Sequence, residues 1–145
     1  MPSYIALDLG DKRTGIAAGD DVTGIVSPVE VLQTPIASGG GDVLLSQLAN
    51  LIAEHTPGAV VIGLPLNMDG TEGAASKNVR DFAARLASRI KPPIEFQDER
   101  LTSADADWAM AQSGLTHKQK KLRRDALAAC AILRDFLASR RSPGP

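Results

Sequence analysis

Residues 4–20, YIALDLGDKRTGIAAGD, decide how the fold is read. From Tyr4 to Leu9 the run is apolar except for Asp8, the composition of a strand buried in a sheet. TGIAAGD, residues 14–20, is a second strand-like run after the tight turn around Asp11, Lys12 and Arg13. The two predict a β-hairpin. A carboxylate inside an apolar strand is costly to bury unless it is paired or holds a cation. Gly10 leaves room for an ion or a phosphate to approach, and Lys12 and Arg13 are candidate phosphate contacts. The plainer alternative is that Asp8 caps a turn at the strand end.

Outward from the hairpin, VEVLQTPI (29–36) reads as a third strand. SGGGD (38–42) is a break, with Asp42 expected to cap the helix DVLLSQLANLIAEH (42–55). That helix sets Leu44, Leu45, Leu48, Leu51 and Ile52 on one face, and Pro57-Gly58 ends it. AVVIGL (59–64) is a short all-apolar strand, as expected where both faces of a sheet are covered. A loop, residues 65–73, leads into a helix over 75–90 with a stripe of Val79, Phe82, Leu86 and Ile90. Pro92-Pro93 breaks it, and IEFQD (94–98) reads as a fifth strand. Thr102 and Asp105 resemble a capping arrangement for a helix over 103–112, and residues 123–141 form a long last helix. Early strands followed by alternating helices and strands predict one mixed α/β domain over residues 1–138. Its central sheet carries helices on both sides, and residues 139–145 form a tail.

The chain has 145 residues, 43% of them hydrophobic but only 3% aromatic, so the core must be built from Ala, Leu, Ile and Val. No apolar run approaches the ~20 residues of a membrane span, and the N-terminus lacks the marks of a signal peptide. A cytoplasmic protein without membrane partners is expected. The lone Cys130 excludes an intramolecular disulfide and suits a helix core. Charge is uneven. Residues 1–114 hold 8 Lys and Arg against 15 Asp and Glu, a net of −7. Residues 115–145 hold 8 against 2, a net of +6. An acidic body with a basic C-terminal helix suits a metal site beside a phosphate-binding surface, although a basic helix end is often only a solvated face.

Two further acids stand in distinctive frames. Glu99 follows the fifth strand within Asp98-Glu99-Arg100. Adjacent acids at a strand end point in different directions, so one is expected to face the site. Asp125 precedes Ala128, Ala129 and Ile132 at helical spacing, on the face that should pack against the sheet. A solvated first-turn Asp favoured by the helix dipole is the alternative. Carboxylates far apart in sequence that a fold can gather suggest a divalent-cation site. The loop after the fourth strand offers Asn67 and Asp69 for positioning substrate, with a structural turn at Asp69-Gly70 the equal alternative, and its glycines and the following helix N-terminus could cradle a phosphate. No Gly-Lys-Ser/Thr phosphate loop and no His/Cys zinc spacing is present.

Together, ALDLGDKRTGIA, VVIGLPLNMDGTEG, DERLTSADA and the stretch from Lys120 to Leu133 resemble the YqgF (RuvX) family of Holliday junction resolvase-like proteins and pre-16S rRNA nucleases. The resemblance spans residues 4–138. It implies an RNase H-like fold with a five-stranded mixed sheet and flanking helices. It implies that Asp8, Glu99 and Asp125 are the catalytic acids and bind one or two Mg²⁺ or Mn²⁺ ions. It makes Lys12, Arg13, Asn67, Arg100, Lys120 and Lys121 the substrate-contacting candidates. Ser103 stands where the family often has Thr. RuvC itself carries a glutamate at the end of the fourth strand and a fourth acid where this chain has Leu122. The implied activity is a metal-dependent endonuclease trimming the 5′ end of precursor 16S rRNA. The alternatives are resolution of four-way DNA junctions, which calls for a homodimer, and a non-catalytic nucleic-acid-binding module. The ATP-binding proteins that also begin with a D-x-G hairpin need a second similar domain, for which 145 residues leave no room.

Overall fold

The computed structural model describes residues 3–99 and 116–140. Three strands come first: β1 (Ser3–Leu9), β2 (Thr14–Asp20) and β3 (Val26–Leu32). Helix α1 (Asp42–His55), β4 (Ala59–Leu64), α2 (Ala74–Ala87), β5 (Ile94–Asp98) and α3 (His117–Arg140) follow. They form one five-stranded sheet in the order β3-β2-β1-β4-β5. The β1–β2–β3 meander is antiparallel, while β4 pairs parallel with β1 and β5 parallel with β4. The sheet is therefore mixed. The parallel strands β1, β4 and β5 end at one edge, where Asp8 and Glu99 sit.

Period-two alternation divides the strands between two cores. Ile5, Leu7, Ile16, Val60 and Ile62 face α1 and α2. Tyr4, Ala6, Ala17, Ala59 and Val61 face α3. The second core uses small side chains, so α3 can lie close on the sheet. Leu133, fully buried, and Phe136, edge-on to Tyr4 at 5.4 Å between ring centroids, hold its C-terminal half. No helix among the described residues is long and apolar enough to cross a membrane.

Four local expectations change. Helix α2 ends at Ala87, short of Ile90, with Ser88 as its C-cap. The third strand begins at Val26, earlier than read, because β2 and β3 are joined by a turn in which Asp20 accepts from the Val22 and Thr23 amides. Asp42 is the first residue of α1 and does not cap it. The cap is Gly41 in the left-handed region, and the Asp42 carboxylate instead accepts from Arg85 at 3.0 Å and Arg89 at 2.9 Å. Helix α3 starts at His117, well before Arg123. Thr116 and Gln119 cap it reciprocally, each side chain accepting from the other's amide. The helix expected over 103–112 lies outside the described residues.

Leu133→Ala removes the buried anchor of α3 and should lower stability by about 2–5 kcal/mol in urea unfolding. A loss within the roughly 0.5 kcal/mol of a surface substitution contradicts this packing.

Candidate active site

Asp8 lies on the α3 face of β1, in phase with Tyr4 and Ala6. Its cross-strand partner on β2 is Gly15. A Cβ at Gly15 would collide with the main-chain carbonyl of Asp125, whose carbon would lie 2.8 Å away. Only a bare glycine lets the α3 backbone descend onto the sheet beside Asp8. On the other side of β1, Leu7 pairs with Ile62, which brings Gly63 level with Asp8. A Cβ at Gly63 would lie 2.6 Å from Cγ and Cδ of Glu99. The Glu99 amide donates to the Leu64 carbonyl at 3.2 Å, just past the end of β5. Its side chain then crosses Gly63 and hydrogen-bonds Asp8. Asp98, the last residue of β5, precedes it by one and so points to the other face.

Burial is the main reason the Glu99 carboxyl is pushed up to about 9, reinforced by its hydrogen bond to Asp8 and by the charges of Asp8 and Asp98. Burial also raises Asp8; the hydrogen bond from Glu99 pulls it down and the charge of Asp125 adds to the rise. Two carboxyls this close resist being ionised together.

Asp125 stands in the third turn of α3, because the helix begins at His117, so the first-turn alternative does not apply. Its Oδ2 accepts from Arg13 Nε at 2.6 Å, with both side chains about a quarter exposed. Arg13 closes the β1–β2 turn, where its carbonyl accepts from the Gly10 amide at 3.0 Å. The structure thus joins Asp8 to Glu99 and places Asp125 alongside, tied to Arg13. Among the described residues, no three His, Cys, Asp or Glu side chains already converge on one point.

The remaining candidates divide. Lys12 is exposed in the β1–β2 turn. Lys121 is exposed and Lys120 half-buried, one turn before Asp125 on α3. Asn67 is exposed but tied into its own loop, its side chain donating to Thr71 Oγ1 at 3.0 Å and its amide to the Thr71 carbonyl at 2.9 Å. Asp69 accepts from the Thr71 amide, and Leu66 bridges to Glu72, so this loop is a self-contained turn. Arg100 lies outside the described residues. The sequence reading missed Gly15 and Gly63. A glycine interrupting a branched run such as AVVIGL was the available signal, since it marks a close approach.

The donor set is suited to a hard divalent cation. Carboxylate oxygens are the ligands such a cation takes.

The strand order and the two helical layers define an RNase H-like α/β domain. The structure superposes on Thermus thermophilus RuvC, solved in complex with a Holliday junction substrate. The TM-score is 0.63, with 12% identity over 97% of this chain and 96% of that one. The model of the RuvX family, described as Holliday junction resolvase, matches residues 2–139, and the chain belongs to that family. A protein of Thiobacillus denitrificans named "Putative pre-16S rRNA nuclease" is 40% identical over 138 residues, 95% of this chain and 92% of that protein. One of the same name from Lactococcus lactis subsp. cremoris is 37% identical over 133 residues, 92% of each chain.

The raised Glu99 carboxyl sets a pH dependence. Glu99 titrates above its ordinary 4.5, so the folded protein binds more protons than the unfolded chain between there and about 9. In buffer stripped of divalent cations, stability should fall as pH rises through that window. Glu99→Gln should flatten the fall, as should Gly63→Ala, whose methyl group displaces the Glu99 side chain. Urea midpoints measured across the window test this, and a wild-type midpoint that rises with pH contradicts it.

Proposed function

We propose that this chain is a divalent-metal-dependent nuclease that hydrolyses phosphodiester bonds in precursor 16S rRNA. The observation that carries the reading is the half-buried Asp8–Glu99 carboxyl pair at the sheet edge, with Asp125 beside it. Holding two half-buried carboxyls against each other is unfavourable for the fold, which points to a functional site. The names of the relatives supply the RNA substrate.

In this reading Asp8, Glu99 and Asp125 hold the cation. When bound, it lowers the pKa of a coordinated water and offsets the charge that develops on the phosphate. The protein's own part is placement. Gly15 and Gly63 bring three chain segments together. Lys118, Lys120, Lys121, Arg123 and Arg124 crowd the first turns of α3 and suit a nucleic-acid backbone running past the carboxylates. Lys12 extends that surface from the hairpin turn.

Cleavage of a precursor 16S rRNA 5′-leader fragment beside a four-way DNA junction, with Mg²⁺ or Mn²⁺, tests the proposal. The expected result is cleavage of the RNA, with Asp8→Asn lowering kcat by about 100-fold or more, the several kcal/mol a bound cation supplies. Full activity in Asp8→Asn contradicts the site, and cutting of the junction alone contradicts the substrate.

A further inference from the structure

One contact in the site does not serve cation binding as it stands. Arg13 Nε donates to Oδ2 of Asp125 at 2.6 Å, while the Asp8 and Glu99 carboxyls engage each other. We infer that Arg13 is an internal counter-ion that competes with the divalent cation for Asp125 and turns to a substrate phosphate once the cation has taken its place. The inference rests on the nuclease reading above and deepens it, because it makes cation binding and nucleic-acid binding mutually dependent.

Three observations support it. First, the pair bridges two separate segments, the β1–β2 turn and α3, and both side chains are partly exposed, so Arg13 can swing without unpacking the core. Second, the backbone beneath Asp125 is already fixed by its contact over Gly15, so the helix does not need Arg13 to hold its place. Third, the charges oppose one another. A guanidinium in contact with Asp125 repels a dication at that carboxylate, and at this range the repulsion outweighs the ordering of one short side chain that Arg13 provides. A residue that only oriented Asp125 for the cation would strengthen cation binding. A counter-ion weakens it. A released guanidinium next to the carboxylates is also well placed for a bidentate phosphate contact.

The test is Mn²⁺ binding by titration calorimetry without RNA, on wild type, Arg13→Gln and Arg13→Lys. The expected result is Mn²⁺ affinity about tenfold higher in Arg13→Gln, with Arg13→Lys near wild type because it keeps the charge. Unchanged or weaker binding in Arg13→Gln overturns the inference, weaker binding assigning Arg13 to orienting Asp125. A second measurement uses no metal. Leader-RNA binding in chelating buffer is compared for wild type, Arg13→Gln, Asp125→Asn and the double variant. The Arg13→Gln change should weaken RNA binding more in the Asp125→Asn background, where Arg13 has lost its carboxylate partner, than in wild type. Equal losses in the two backgrounds overturn the inference. If wild type binds neither Mn²⁺ nor RNA, the nuclease reading falls and this inference falls with it. If wild type binds both and only the Arg13 comparisons fail, the counter-ion role alone is lost.

Discussion

The site depends on a single constraint, the placing of two carboxyls within hydrogen-bonding reach in a half-buried position. Water would solvate both and keep them apart. Here the sheet half-buries them, and both carboxyls are pushed up, Glu99 to about 9. Such an arrangement survives only because the surrounding fold determines it. Asp8 is fixed by full pairing of β1 with β2 and by its parallel partner β4. Glu99 is fixed by the end of β5 and by its amide contact with Leu64. The fold thus holds two carboxyls together at a cost in local stability.

Glycine is the device that makes the geometry possible. Gly15 and Gly63 flank Asp8 on the α3 face of neighbouring strands, and each removes a side chain that would block an approach. One admits the α3 backbone and the other admits the Glu99 carboxyl. The face beneath α3 is correspondingly lean, with Ala6, Ala17, Ala59 and Val61 where the opposite face carries Ile, Leu and Val. The two cores are asymmetric: one face supports the fold with large aliphatic side chains, and the other keeps the helix bearing Asp125 close to the strands.

Much of the scaffold was legible because local chemistry agreed with the final structure. IEFQD and AVVIGL match β5 and β4 residue for residue, since proline or glycine bounds an apolar run in each case. The apolar face of α1 followed from its spacing. What could not be read depends on contacts distant in sequence. Asp42 has the right chemistry for a cap, but Arg85 and Arg89 on another helix claim it. Arg13 looks like a free phosphate ligand until α3 brings Asp125 to it across 112 residues. In the candidate site, the acids stood out as charges in apolar frames. Their pairing, and the glycines that allow it, emerge only from strand register.

The central claim is that Asp8, Glu99 and Asp125 form one cation site. Anomalous diffraction from crystals soaked in Mn²⁺ locates such an ion directly. The account predicts a peak between Asp8 and Glu99, with Asp125 turned from Arg13 toward it. No peak there at saturating Mn²⁺, with the Asp8–Glu99 contact unchanged, contradicts it.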